Sequence, residues 1–238
     1  MYFYRLIKPF KAITFDLDDT LYDNKPVIDL AEKNLVKFLI QSHPNLKNFN
    51  HKYYKFCKSK LLLNNPCIYY DINFWRKLSI KLSLRIFKIN SIETNIIAKK
   101  AMKIANFWRN KVFISENTHR ILNKLSKKFP LIAITNGDLD INKCNLNKYF
   151  LKIFRSGKDG YPKPFSDMYD LSAKKLKLSP HHILHVGDSL ETDVFGSIRY
   201  GMQSCWVNFK KKKIISDLSA KTLPHFEISD LKYLMNFI

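Results

Sequence analysis

Asp16 and Asp18 stand two residues apart in Asp16-Leu-Asp18-Asp-Thr20, directly after the apolar run Ala12-Ile-Thr-Phe15. In an extended chain, residues two apart project to the same side. Two carboxylates placed that way repel each other and are costly to desolvate unless a positive charge holds them. A hard divalent cation does this well, and magnesium prefers oxygen ligands with several waters retained. The competing reading is a solvated acidic turn in which Asp19 or Thr20 caps a helix. Three further groupings bear on the choice. Ile134-Thr135-Asn136-Gly137 offers a hydroxyl, an amide and a flexible backbone, all suited to phosphate oxygens. Lys163 lies between Pro162 and Pro164, and Val186-Gly-Asp188-Ser-Leu-Glu-Thr-Asp193 closes another apolar run. Singly, each has a plain alternative as a turn, a surface charge or a helix start.

Groups so far apart along the chain need a scaffold that gathers them. The short apolar runs Ala12–Phe15, Leu131–Ile134, Ile183–Val186 and Ser204–Val207 are nearly continuous and suit strands buried on both faces of a parallel sheet. Segments 118–126, 166–176 and 192–200 repeat apolar residues at three- and four-residue spacing, as helices do. The alternation predicts an α/β fold with a doubly wound, Rossmann-like parallel sheet. In such sheets ligands bind outside the carboxyl ends of the strands, so these groups can converge on one crevice. Residues 26–108 break the rhythm with helical spacing throughout (Val27, Leu30, Ala31, Leu35, Phe38) and exceed an ordinary crossover. They are expected to form an inserted all-helical domain, leaving 1–25 and 109–238 as the core.

In this order, D-x-D-x-T, a strand-end Thr, a Lys and G-D-x-x-x-x-D resemble the four signature motifs of the haloacid dehalogenase superfamily, and the resemblance covers essentially the whole chain. It implies a phosphoric monoester hydrolase with a helical cap. Asp16 would attack phosphorus, and Asp18 would protonate the leaving alcohol and then deprotonate the attacking water. Thr135 and the backbone amide of Asn136 would bind the phosphoryl oxygens, and Lys163 would balance the charge of Asp16. Mg²⁺, with Mn²⁺ as a possible substitute, would be held by Asp16, the backbone carbonyl of Asp18 and Asp188. Asp193 would act through water or by orienting Lys163. Hydrolytic dehalogenases resemble this layout but lack the acid two residues after the nucleophile, so Asp18 disfavours carbon–halogen chemistry. Ile13–Asn24, Lys163–Tyr169, Ile183–Asp188 and the ending Leu223–Ser229 are similar to a bacterial phosphatase family of riboflavin biosynthesis. That family acts on 5-amino-6-(5-phospho-D-ribitylamino)uracil and flavin mononucleotide. A sugar-phosphate phosphatase or a phosphomutase with the same core is the alternative.

For such a leaving group, Tyr53, Tyr54, Tyr69, Tyr70, Phe74 and Trp75 of the insert offer flat surface, although the favoured reading makes most of them the insert's own core. Tyr22 and Asn24 lie nearer the expected mouth. The partner expected is therefore a small phosphorylated molecule. The 238 residues carry 41 Lys and Arg against 20 Asp and Glu, a formal charge of +21. Such a surface attracts polyanions. The excess is spread along the chain, is mainly Lys and comes with many Asn and Ile, which favours coding bias over nucleic-acid binding. The one dense run, Lys210–Lys213, reads as an exposed loop. Cys57, Cys67, Cys144 and Cys205 have neither zinc nor disulfide spacing and are expected free. No apolar run approaches the length of a membrane span, and Met1–Pro9 lacks a signal-peptide pattern, so a cytoplasmic protein without a membrane partner is expected.

Overall fold

A computed structural model describes all 238 residues. They divide into two compact units: Met1–Asp23, Phe113–Gly137 and Cys144–Ile238 in one, Asn24–Val112 and Asp138–Lys143 in the other.

The first unit is built on a sheet of seven strands: β1 (Tyr2–Phe3), β2 (Ala12–Phe15), β3 (Leu131–Thr135), β4 (Lys152–Arg155), β5 (Ile183–Gly187), β6 (Gln203–Val207) and β7 (Phe226–Ile228). Their spatial order is β1-β7-β6-β5-β2-β3-β4, parallel throughout except for β1 against β7. Every residue of β2, β3, β5 and β6 is buried, as strands covered on both faces must be. On one face Ala12, Ile132, Ile134 and Ile183 pack against Met168, Tyr169 and Ala173. On the sheet's other elements Trp206 packs with Leu190 and Val194. The fold is thus the α/β parallel-sheet architecture that the apolar runs predict. β2 lies between β3 and β5, so its carboxyl end meets theirs. β2, the first of the parallel strands along the chain, lies inside the sheet between parallel neighbours, which makes its exit the natural crevice.

Three strands escape the sequence pattern. β1 has two residues, β7 has three, and β4 is a sheet edge in which Lys-Ile-Phe-Arg confines the apolar residues to two. The segment expected as one helix over 192–200 is a π-helical turn, Leu190–Phe195, running into a short α-helix, Gly196–Tyr200. The amides of Asp193 and Val194 both reach the carbonyl of Ser189 there.

The second unit is helical: α1 (Lys25–Ser42), α2 (His51–Asn64), α3 (Ile72–Ile86) and α4 (Ser91–Arg109), with short 3₁₀ turns between the first three. Asn50, Asp71 and Asn90 cap α2, α3 and α4 by accepting from backbone amides of the first turn. Leu35, Leu39, Leu46, Phe49, Tyr54, Ile80 and Leu84 form its core, with the small Ala98, Ala101 and Ala105 of α4. Of the six aromatic residues expected mainly as core, only Tyr54 is buried. Tyr53, Tyr69 and Phe74 are exposed, because their positions fall off the apolar stripes of their helices, and Tyr70 and Trp75 are intermediate. Arg76 and Arg109 pair with Asp138 at 2.5 and 3.1 Å, which ties residues 138–143 to the helices. The four cysteines are free, and the Lys210–Lys213 run is exposed. No helix is long and apolar enough to cross a membrane.

Candidate active site

The carboxyl ends of β2, β3 and β5 bring together the residues singled out by type and spacing. Asp16 follows β2 directly and is 6% exposed. Its Oδ1 accepts from Lys163 Nζ at 2.7 Å, and its Oδ2 from Thr20 Oγ1 at 3.0 Å. Lys163, 2% exposed, also donates to Asp193 Oδ1 at 2.6 Å. Burial alone would strip the proton from this ammonium, yet the two carboxylates outweigh it and hold the pKa above the ordinary lysine value. Lys163 is therefore a permanently charged ammonium between two buried acids.

Asp193 is held from three directions. Besides Lys163, His185 Nε2 lies 3.1 Å from its Oδ1, and the backbone N–H of Ser189 donates to its Oδ2 at 3.0 Å. Burial raises its pKa, but Lys163 and His185 overcome that and keep it below the usual carboxylate range. His185 is fully buried on β5, with Nδ1 2.8 Å from Thr14 Oγ1 on β2. Burial lowers its pKa, so the ring is neutral. An Nε2–H tautomer donating to Asp193 and accepting the Thr14 hydroxyl proton satisfies both contacts.

The next groups come from the end of β3. Thr135 is fully buried, and its Oγ1 accepts from the Gly137 amide at 2.8 Å. The Asn136 side chain exchanges two hydrogen bonds with the Lys163 backbone, Oδ1 from its N–H at 2.8 Å and Nδ2 to its carbonyl at 2.9 Å. That reciprocal pair locks the lysine loop to the end of β3 and leaves Asn136 its main-chain N–H to present.

Asp18 and Asp188 complete the set. Tyr22 donates its hydroxyl to Asp18 Oδ1, and Asp19 adopts a left-handed φ of 59° between them, a conformation aspartate tolerates better than most residues. The Asp188 carbonyl accepts the Trp206 indole N–H at 2.8 Å, while its carboxylate lies 3.5 Å from Thr20 Oγ1. Burial first, then the negative charges of Asp193 and Asp19, push the Asp188 pKa up to about 7. Asp16 is likewise raised, by burial and then by Asp193 and Asp188 against the opposing Lys163.

Carboxylate oxygens of Asp16, Asp188 and Asp193 lie within 4.8 Å of one another. One ammonium does not neutralise three acids. The two acids with raised pKa values therefore mark a site short of positive charge, and a hard divalent cation with oxygen ligands fits the donor set. Asp193, already engaged by Lys163, His185 and Ser189, is committed to holding the lysine. Asp16 and Asp188 are the carboxylates left to share a cation.

Sequence reasoning missed several contributors. A Cβ at Gly137 would fall 2.1 Å from Asp18 Oδ2, and one at Gly187 would fall 2.3 Å from Asp193 Cγ, so both carboxylates rest against bare backbone. Both glycines were visible inside their motifs. The buried pair Thr14 and His185 showed only as polar residues interrupting apolar strands, and Thr20 as a helix cap.

Comparison with known proteins places this geometry. Residues 10–200 match the model of the haloacid dehalogenase-like hydrolase family. The chain is 40% identical over 238 residues, the full length of both proteins, to the 5-amino-6-(5-phospho-D-ribitylamino)uracil phosphatase YigB of Escherichia coli (strain K12). It is 23% identical to a glyceraldehyde 3-phosphate phosphatase of Pyrococcus furiosus, over 96% of this chain and 92% of that one. A solved structure described as a 2-haloacid dehalogenase from Pseudomonas syringae pv. tomato DC3000 superposes with a TM-score of 0.87 at 29% identity, covering 96% of this chain and 97% of that one. The Bacillus subtilis HAD-hydrolase YfnB shares the fold at a TM-score of 0.67 and 20% identity, covering 96% and 98% of the two chains. With its family model, its full-length phosphatase relative and a lysine-bridged carboxylate at the end of its central strand, the chain belongs to the haloacid dehalogenase-like hydrolases, among which it is a phosphatase.

Proposed function

We propose that the enzyme hydrolyses phosphate monoesters through an aspartyl-phosphate on Asp16, and that its substrates are 5-amino-6-(5-phospho-D-ribitylamino)uracil and flavin mononucleotide. The observation that carries the reaction is the placement of Asp16, its carboxylate gripped by Lys163 at 2.7 Å, with a second acid two residues on. An Asp16 oxygen attacks phosphorus and the ester P–O bond breaks. Asp18 delivers a proton to the departing alkoxide. Water then attacks the phosphoryl group, Asp18 takes its proton, the Asp16–phosphorus bond breaks and inorganic phosphate leaves. Lys163 and Thr20 fix the attacking carboxylate, and Asp193, His185 and the Asn136 amide fix the lysine. Thr135 and the Asn136 N–H are the donors for the phosphoryl oxygens.

Magnesium held by the carboxylates of Asp16 and Asp188 and the carbonyl of Asp18 would offset the charge of the phosphoryl group and of the two acids. Asp18 also separates this reading from the chemistry named for the Pseudomonas structure: an alkoxide leaves only when protonated, whereas a halide needs no acid. The substrate assignment rests on the full-length relative at 40% identity. A phosphate-release panel with magnesium tests it, comparing flavin mononucleotide and the ribitylaminouracil phosphate with common sugar phosphates and with 2-chloropropionate. The flavin-pathway esters are expected to give the highest kcat/KM and the halide none. Preference for a sugar phosphate would overturn the substrate, and halide release would overturn the role of Asp18.

A further inference from the structure

A cavity of about 280 Å³ opens within the α/β unit beside the proposed catalytic acid. It is close to the lower end of the roughly 300–1,000 Å³ typical of small-molecule pockets. Its lining is divided by chemistry. Asp19, Asp23 and Asp188 form an acidic end, Tyr22 and Phe209 supply aromatic surface, and Lys210 and Lys212 supply positive charge. The acidic end adjoins the reaction. Tyr22 lines the cavity while its hydroxyl bonds the Asp18 carboxylate, and Asp188 belongs to the acidic cluster with Asp16.

The basic end belongs to a tied loop. Asn208, 3% exposed, donates through Nδ2 to the Lys212 carbonyl at 2.9 Å and to Glu227 Oε1 at 2.7 Å, and it accepts the Lys212 N–H at 2.9 Å. Its own amide bonds the Ile228 carbonyl at 2.8 Å, and Lys211 takes a left-handed φ of 50° to close the turn. The turn is thus fastened to the sheet. Phe209, a large apolar ring, is nevertheless left 47% exposed at the cavity wall. Burial of such a ring is favourable, so a ligand seated in the cavity that covered it would gain from the contact.

We propose that this cavity is the leaving-group subsite, and that it takes a planar ring rich in hydrogen-bond acceptors carried on a hydroxylated chain. The inference rests on the reading of Asp18 as the group that protonates the leaving oxygen. That oxygen must come within hydrogen-bond reach of Asp18, and hence beside Tyr22. Chain hydroxyls suit the carboxylates of Asp19 and Asp23, a flat ring suits the faces of Tyr22 and Phe209, and ring carbonyls suit the Lys210 ammonium, the Lys212 ammonium lying 3.8 Å from Asp217 Oδ2. A simple sugar phosphate would use the acidic end and leave Phe209 uncovered. Ring recognition is thereby assigned to residues 208–212 of the core, a stretch that reads in sequence as no more than a basic surface loop.

The test compares kcat/KM for flavin mononucleotide with that for ribitol 5-phosphate, which keeps the chain and lacks the ring. Phe209→Ala should lower the ratio of the two about tenfold, mainly through KM, and Lys210→Ala about threefold, with circular dichroism unchanged. If the wild-type enzyme ignores flavin-pathway esters but accepts nucleoside monophosphates, the ratio is read against ribose 5-phosphate. A fall there would support the subsite while the pathway assignment failed. An unchanged ratio in Phe209→Ala, an equal loss on both esters, or a wild-type enzyme that turns over no ring-bearing ester would each overturn the subsite.

Discussion

The two units of the molecule are held together by different physics. The helical unit is an ordinary apolar core, leucines of α1 against alanines of α4, with capped helices and a half-exposed aromatic population around it. The α/β unit spends its centre on charge: Asp16, Lys163, His185 and Asp193 are all buried around the ends of β2, β3 and β5. Such a cluster stabilises little by itself, since desolvation offsets most of the attraction, and losing one member is costly. The proposed reaction gives that buried charge a use, and apolar packing elsewhere supplies the stability that permits it.

That contrast can be broken. The largest effect should follow Asp16→Ala: a fall in kcat on the order of 10⁴-fold or more, with the circular dichroism of the wild type. Near-normal phosphate release from a folded variant would end the aspartyl-phosphate mechanism. Next, Lys163→Met and Leu39→Ala should cost comparable stability, about 3–5 kcal/mol for a broken buried pair and about 2–5 kcal/mol for a core leucine. Their activities should diverge. At a temperature where both are folded, Lys163→Met should lose at least about a hundredfold in kcat toward p-nitrophenyl phosphate, whereas Leu39→Ala should stay near wild type. Equal activity losses in denaturant-matched samples would erase the distinction between the units.

The smallest effect is electrostatic. Asp188 is raised to about 7 in the folded chain, so the folded state binds a proton that the unfolded state has released. Its contribution favours folding at low pH and is lost as pH climbs from the ordinary carboxylate value through about 7. In excess chelator the melting temperature should therefore decline between about pH 5 and 8, and saturating magnesium should flatten the decline. A metal-free profile that is level across this window would show that Asp188 is not short of a counter-charge.

The same contrast explains what could be read from sequence. Asp16, Asp18, Thr135 and Asp188 were legible because strand ends are marked by apolar runs and each residue type is unusual there, and Lys163 because prolines flank it on both sides. The central strands were legible for the same reason. β1, β4 and β7 were not, being too short or too exposed at an edge to leave a run. Nor was the grouping of residues 138–143 with the helices, which depends on Arg76 and Arg109 meeting Asp138 from distant positions. The insert's aromatic residues were misjudged because composition says that a ring favours burial, whereas only the phase of each helix decides whether it gets it. Tyr53 and Tyr54 are neighbours with opposite fates.

The burial of Lys163 has a practical corollary. Amine-directed reagents, and acetylating conditions in a cell, act on ammonium groups that can reach solvent and shed a proton. This one is 2% exposed, and its neighbours hold it protonated. In a chain with a formal charge of +21, most of the positive surface could be titrated away by labelling while the lysine in the active site stayed untouched. Loss of turnover on progressive acylation would then report surface lysines such as Lys210 and Lys212, and full occupancy of the cavity by a ligand should slow that loss. Mass spectrometry of partly acylated enzyme thus separates the charge that chemistry needs from the charge the surface merely carries.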